Sequence, residues 1–236
     1  MSEQPKYLGD NLQRPTVAQF PSGSMFHLFS TPVYAGRCAN VDAIQKELDV
    51  SYRKNNFQYK ESFGMTHKLS DTEFRGNIID TDDLKELESA IHFHLSNYLQ
   101  GICFHETKSY VPNIQYEINQ SWFAKFGHRD YAHLHNHGNQ DIAGVYYYKA
   151  ASSDSLKEAN TCWGNQPEGN MYMSSPASKS EVSFVFSHYA YKQSVLAEVG
   201  KIVLFPAYLD HGVTTNETNT DRVSLAFNVT FAKEGL

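Results

Sequence analysis

The sequence has no basic cluster, no apolar run long enough to cross a bilayer, and only three cysteines in 236 residues. Each shortage removes a class of function. Lys and Arg number 20 against 26 Asp and Glu, for a net charge of −6. A nucleic-acid groove needs clustered cations, so no nucleic-acid partner is expected. Cys38, Cys103 and Cys162 are odd in number and far apart. That excludes a full disulfide framework and a CxxC zinc site, and fits a reducing cytosol. Met1 to Pro21 is polar, is broken by Pro5 and Pro15, and lacks the apolar core of a secretory signal or anchor. The expectation is a soluble, cytoplasmic protein with no membrane partner.

What is present is an ordinary globular composition, 41% hydrophobic and 19% charged, with 15 Tyr and 15 Phe that favour strands. Residues 1–22 read as an arm and 23–236 as one domain. A short strand is expected over Met25–Tyr34. Asn40 can cap a helix running to about Lys54, where Val41, Ile44 and Leu48 recur at helical spacing. Thr81 reads as the cap of a second helix, with Asp82 and Asp83 in its first turn. Its stripe is Leu84, Leu87, Ile91, Leu95 and Tyr98, and it ends near Gly101.

Beyond Gly101 the period changes to two. Ile114, Tyr116, Ile118 and Trp122 alternate with Gln115, Glu117, Asn119 and Ser121. Further strands are expected at Ile142–Tyr148, Val182–Phe186, Ile202–Phe205 and Val223–Phe231. Residues 151–180 read as a long polar insertion. The fold class is therefore α+β, mainly β: two N-terminal helices supporting a C-terminal antiparallel barrel or sandwich.

The candidate chemistry lies in the histidines. His128, His133, His135 and His137 crowd into ten residues, and His211 stands alone after a strand. In an extended segment, side chains two apart share a face, so His135 and His137 can aim at one point. A third imidazole from a distant strand completes a facial metal set with open positions; ligand type alone leaves iron, copper, zinc and nickel open. Arg222 opens a strand whose apolar set is Val223, Leu225, Phe227, Val229 and Phe231. Arg222, Ser224, Ala226, Asn228 and Thr230 share its other face. An arginine with Ser224 beside it suits a bidentate grip on a carboxylate. His128 and His133 read as surface or supporting residues, His92 and His94 as structural, and Asp210 as an orienter of His211 or a solvated side chain.

The ordered set His135-Asn-His137, Gly144-Val-Tyr-Tyr-Tyr148, Gly169-Asn-Met-Tyr, Gly200…Leu-Phe-Pro206…His211 and Arg222-Val-Ser…Phe-Asn228 carries a resemblance. It is similar to the 2-oxoglutarate–iron(II) oxygenases of bacteria and phages, relatives of the prolyl-hydroxylase-like group, over residues 110 to 232. The resemblance implies a double-stranded β-helix (a jelly-roll, cupin-like barrel), with iron(II) as cofactor and 2-oxoglutarate and dioxygen as co-substrates. It implies that 2-oxoglutarate is decarboxylated to succinate while a peptidyl side chain or small metabolite is hydroxylated. By position, His135, His137 and His211 fall on the metal ligands, and Arg222, Ser224 and Tyr147 on the grip for the far carboxylate of 2-oxoglutarate. His137 stands where the superfamily usually has Asp, which leaves Asp141 and His133 as rival second ligands. A phage origin would place the protein in the host cytoplasm. The oligomeric state is open, a homodimer included.

Two other classes fit the barrel. A cupin would share the H-x-H pair and His211, with Asp141 four residues after the pair, and would use a metal without 2-oxoglutarate. Arg222 argues against it, as does the lack of a glycine between Pro206 and His211. A barrel without catalysis, serving as a structural module, would have no need of the ligand set.

Overall fold

The computed structural model describes residues 19–20, 23–24, 31–59, 66–70, 76–107, 115–151, 169–176 and 192–231. Its strands are β1 (Gln19–Phe20), β2 (Gly23–Ser24), β3 (Tyr34–Arg37), β4 (Phe57–Tyr59), β5 (Lys68–Ser70), β6 (Tyr116–Phe126), β7 (Ala132–His135), β8 (Ile142–Lys149), β9 (Met171–Ser174), β10 (Lys192–Val195), β11 (Lys201–Pro206), β12 (His211–Val213) and β13 (Arg222–Phe231). The helices are α1 (Val41–Lys54), α2 (Ile78–Thr81) and α3 (Lys85–Thr107).

The strands form a seven-stranded sheet, β3-β11-β8-β13-β6-β5-β4, a four-stranded sheet, β10-β9-β12-β7, and the small β1-β2 ladder. From β6 to β13 the chain alternates between the two larger sheets, except that β9 and β10 pair directly. All pairings between named strands are antiparallel. This is the double-stranded β-helix, with helices on its outer side.

The layering follows from the alternation of side chains across each strand. On β8, Ile142, Tyr146 and Tyr148 join the helix-side core, while Ala143, Val145 and Tyr147 face the smaller sheet. On β13, Val223, Leu225, Phe227 and Val229 meet the helices. Arg222, Ser224 and Asn228 are buried on the opposite face. Gly144 is required where Phe227 crosses β8, since a Cβ there would sit 2.1 Å from the ring.

α1 has an acidic residue in its first turn (Asp42) and basic residues in its last (Arg53, Lys54), as its dipole favours. Asn40 occupies the cap position but makes no side-chain cap bond; its amide reaches Glu86 at 3.2 Å instead. The second long helix departs from the sequence expectation. Thr81 closes the short α2, Asp83 takes φ 55, and α3 starts at Lys85 and continues past Gly101 to Thr107. Its first N–H groups are satisfied from another helix: Glu47 of α1 accepts from the backbone of Glu86 at 3.0 and 3.1 Å and of Leu87 at 3.2 Å. A carboxylate there also meets the positive end of the dipole. Leu84, Leu87, Ile91, Leu95 and Tyr98 are buried as one stripe.

Three further departures matter for the site. Residues 171–174, expected inside the insertion, are a strand in the middle of the smaller sheet, with Met171 and Met173 buried in the core between the sheets. On β6 the ladder skips Asn119: Asn228 faces Gln120 while Val229 faces Ile118. That bulge reverses the sides of all later residues. Ser121 and Phe123 therefore join the helix side, and Trp122 turns inward, opposite to Ile118. Finally, the chain expected as a strand over Met25–Tyr34 is a strand only from Tyr34 to Arg37 within the described residues. The expected strand Val182–Phe186 lies outside them.

Candidate metal centre and anion pocket

His135 ends β7 and His211 begins β12, and the two are directly paired in the ladder of the smaller sheet. His137 follows two residues later, its backbone N–H bonded to the carbonyl of Ala207 at 2.8 Å. The structure brings one ligand atom from each of these imidazoles within 4.8 Å of the others. Their ring centres lie 4.4 Å (His135–His211), 5.1 Å (His137–His211) and 5.5 Å (His135–His137) apart.

Each ring has its Nδ1 engaged. His135 Nδ1 lies 2.8 Å from the carbonyl of His133, and His211 Nδ1 lies 2.9 Å from that of Leu209. His137 Nδ1 lies 2.6 Å from Oδ1 of Asn228, whose amide in turn donates to Gln120 Oε1 at 2.9 Å. With acceptors at all three Nδ1 atoms, the proton sits there and Nε2 presents its lone pair, the tautomer that metal binding needs. Burial and the neighbouring His135 and His137 hold the His211 pKa down to about 3, and burial lowers that of His137. An imidazole binds a metal through its neutral ring, so these three donors would bring no charge to one.

The rival second ligands lie elsewhere. Asp141 accepts from the backbone of Phe231 at 2.8 Å, and His133 is exposed against the edge of Tyr131. Asp210 accepts from the amide of Asn136 at 2.8 Å, tying the loop between His135 and His137 to the start of β12. His128 is exposed, His92 pairs with Glu88, and His94 is buried against Tyr34.

At the start of β13, Arg222 is only 2% exposed. Its Nη1 donates to Ser224 Oγ at 3.1 Å, and its guanidinium carbon lies 4.6 Å from the Phe126 ring centre and 5.1 Å from that of Tyr147. Asp221 is paired with Lys125 at 2.8 Å, and no described carboxylate pairs with Arg222. Arg222 Nε and the Tyr147 hydroxyl, both buried, have no hydrogen-bond partner among the described residues. Burial presses the Arg222 pKa down and raises that of Tyr147, which Arg222 partly offsets. A buried cation with a free N–H beside an unpartnered hydroxyl is a receptor for an anion.

Three residues near the site carry no sequence signal of their own. Trp122 shows its ring to His137 at 5.8 Å only because of the bulge at Asn119. Gln120 is placed behind Asn228 by the same register. His67, 4% exposed, stacks on Phe126 at 4.3 Å, in the row β5–β6–β13 that includes Arg222. A repeating inward face on β6 after the bulge would have found the first two; His67 required knowledge of which strand lies beside β6.

Fold and candidate site resemble those of the 2-oxoglutarate-dependent non-haem iron oxygenases. Residues 120–228 match the family described as "Putative 2OG-Fe(II) oxygenase". Solved structures show the same fold. A prolyl hydroxylase of Trichoplax adhaerens, in complex with a fragment of a hypoxia-inducible factor, is 10% identical with TM-score 0.53, covering 85% of this chain and 84% of its own. HygX of Streptomyces hygroscopicus, with nickel, 2-oxoglutarate and hygromycin B bound, is 9% identical with TM-score 0.52, covering 85% and 83%. The carbocyclase SnoK of nogalamycin biosynthesis is 7% identical with TM-score 0.53, covering 84% and 79%. No curated protein matches the sequence. Among the described residues no helix is long and apolar enough to cross a membrane.

Proposed function

We propose that this chain hydroxylates a peptidyl side chain or a small metabolite, with iron held by His135, His137 and His211. In this reading 2-oxoglutarate is anchored by Arg222, Ser224 and Tyr147. Iron(II) with 2-oxoglutarate and dioxygen supplies the oxidising chemistry; the protein supplies placement and exclusion of water. The three Nδ1 acceptors orient the ligating rings. Asp210 and Asn136 brace the loop that carries two of them. Arg222 neutralises the far carboxylate in a pocket walled by Phe126 and Tyr147, where a charge pair is little screened. Trp122, half-buried beside His137, offers an aromatic face to an uncharged substrate.

The observation that carries the reading is the buried Arg222 with no anionic partner among the described residues, on the same strand as Asn228. A cupin that works without 2-oxoglutarate has no use for such a cation. The test is an anaerobic titration of 2-oxoglutarate into iron(II)-loaded protein, followed by the visible metal-to-ligand charge-transfer band. The band should form in the wild type and weaken strongly in Arg222→Ala. Iron bound without any band would favour the cupin instead. Substrate class can then be sought by succinate release against peptide and metabolite panels.

A further inference from the structure

The three-histidine cluster differs from a facial set containing a carboxylate in one physical respect, its charge. Every donor is a neutral imidazole, and the nearest candidates for an anion are engaged elsewhere: Asp210 with Asn136, Asp141 with the Phe231 backbone. His137 is backed by an amide oxygen. Asn228 is 4% exposed, and its orientation is set by Gln120, which takes the Nδ2 hydrogen and leaves Oδ1 for His137. A carboxylate in that place would share its negative charge with the ring; an amide does not. Arg222 adds a buried positive charge with no described ion-pair partner. A divalent metal here would thus join a cation in a pocket where no described residue offset the total.

We propose that Asn228 and Gln120 are positioning residues that hold His137 as a neutral third donor, and that the resulting charge-deficient site is completed by dianionic 2-oxoglutarate. Metal and co-substrate then bind as a coupled pair. This rests on the three-histidine reading above. Any chelating co-substrate tightens the metal it binds, and linkage makes the effect equal in both directions. What distinguishes this chain is how much of the coupling depends on charge. A carboxylate added to the site should strengthen metal binding alone and reduce the gain from 2-oxoglutarate.

The experiment measures Mn(II) affinity of the full-length, metal-free protein with and without saturating 2-oxoglutarate, in the wild type, His137→Asp and Asn228→Asp. In the wild type, 2-oxoglutarate should tighten Mn(II) by about 100-fold, near the upper end of ordinary couplings. In His137→Asp the gain should shrink to below about tenfold, with Mn(II) alone bound more tightly. Asn228→Asp keeps all three imidazoles and should raise the affinity for Mn(II) alone by about tenfold, within the range of changes to outer partners of metal ligands. It carries the comparison if His137→Asp does not fold, which a circular-dichroism melt would reveal. Equal gains in all folded proteins would overturn the charge argument while leaving the ligand set intact. No Mn(II) binding in the wild type, even with 2-oxoglutarate, would remove the three-histidine site and this inference with it.

Discussion

Arg222 lies directly across the β6–β13 ladder from Phe126, with its guanidinium carbon 4.6 Å from the centre of that ring. The cation is insulated by aromatic carbon, on this side by Phe126 and beyond it by Tyr147, so an anion reaching it is little screened by water. Arg222→Lys keeps the charge but loses the planar fork. Its 2-oxoglutarate Kd, read by calorimetry on the Mn(II) form, should weaken by about 10- to 100-fold, as for loss of a hydrogen bond to a charged group. Ser224→Ala should cost about 1 kcal/mol, or roughly fivefold. Unchanged affinity in Arg222→Lys would mean that the co-substrate lies elsewhere.

His67 is buried and neutral, and its pKa is lowered to about 4, chiefly by burial, with Arg222 and His135 contributing and the Tyr131 carbonyl opposing. A histidine depressed on folding binds more protons when unfolded. Its contribution to stability is therefore complete above about pH 6.5 and is lost as pH falls toward 4, up to about 3 kcal/mol. Urea midpoints of the metal-free protein at pH 7.5 and 4.5 should diverge in the wild type and converge in part in His67→Gln. The same acid loss in both proteins would show that His67 titrates normally.

Glu47 belongs to α1 yet closes the first turn of α3. Glu47→Ala should destabilise the protein by about 1 kcal/mol, the usual cost of a lost N-terminal cap. Glu47→Gln, which keeps acceptor oxygen but not charge, should recover part of it. Thermal melts of the two variants separate hydrogen bonding from the dipole contribution.

Gly144 leaves room for Phe227 on the adjacent strand, where an added Cβ would fall 2.1 Å from the ring. Gly144→Ala should cost about 1–3 kcal/mol through overpacking. Adding Phe227→Leu should return part of that loss, giving a non-zero coupling in a double-mutant cycle of urea midpoints. Strict additivity would mean the two positions do not share the space.

The legible parts of this protein were those written as spacing. His135 and His137 stand two apart, and the period-two face of β13 already separates Arg222, Ser224 and Asn228 from the apolar set. The α3 stripe is equally plain in Leu84, Leu87, Ile91 and Leu95. Its start was not, because Thr81-Asp82-Asp83 resembles a cap while the capping carboxylate comes from Glu47, 39 residues before Glu86. Strand β9 was hidden because its four residues sit among polar neighbours, and a strand so short leaves almost no periodic signal. The bond between Asn228 and His137 spans 91 residues and depends on a loop meeting a sheet.

The extra residue at Asn119 behaves like a frameshift written in space. Upstream of it, β6 is read by the helices in one phase; downstream, the same strand is read by the pocket in the other. Because the ladder already skips Asn119, deleting it would join Ile118 to Gln120 with both strand partners kept, and Trp122 and Phe126 would hold their face of the sheet. A one-residue length change within the regular stretch from Gln120 to Phe126, where no bulge absorbs it, would instead turn the residues on one side of it to the opposite face.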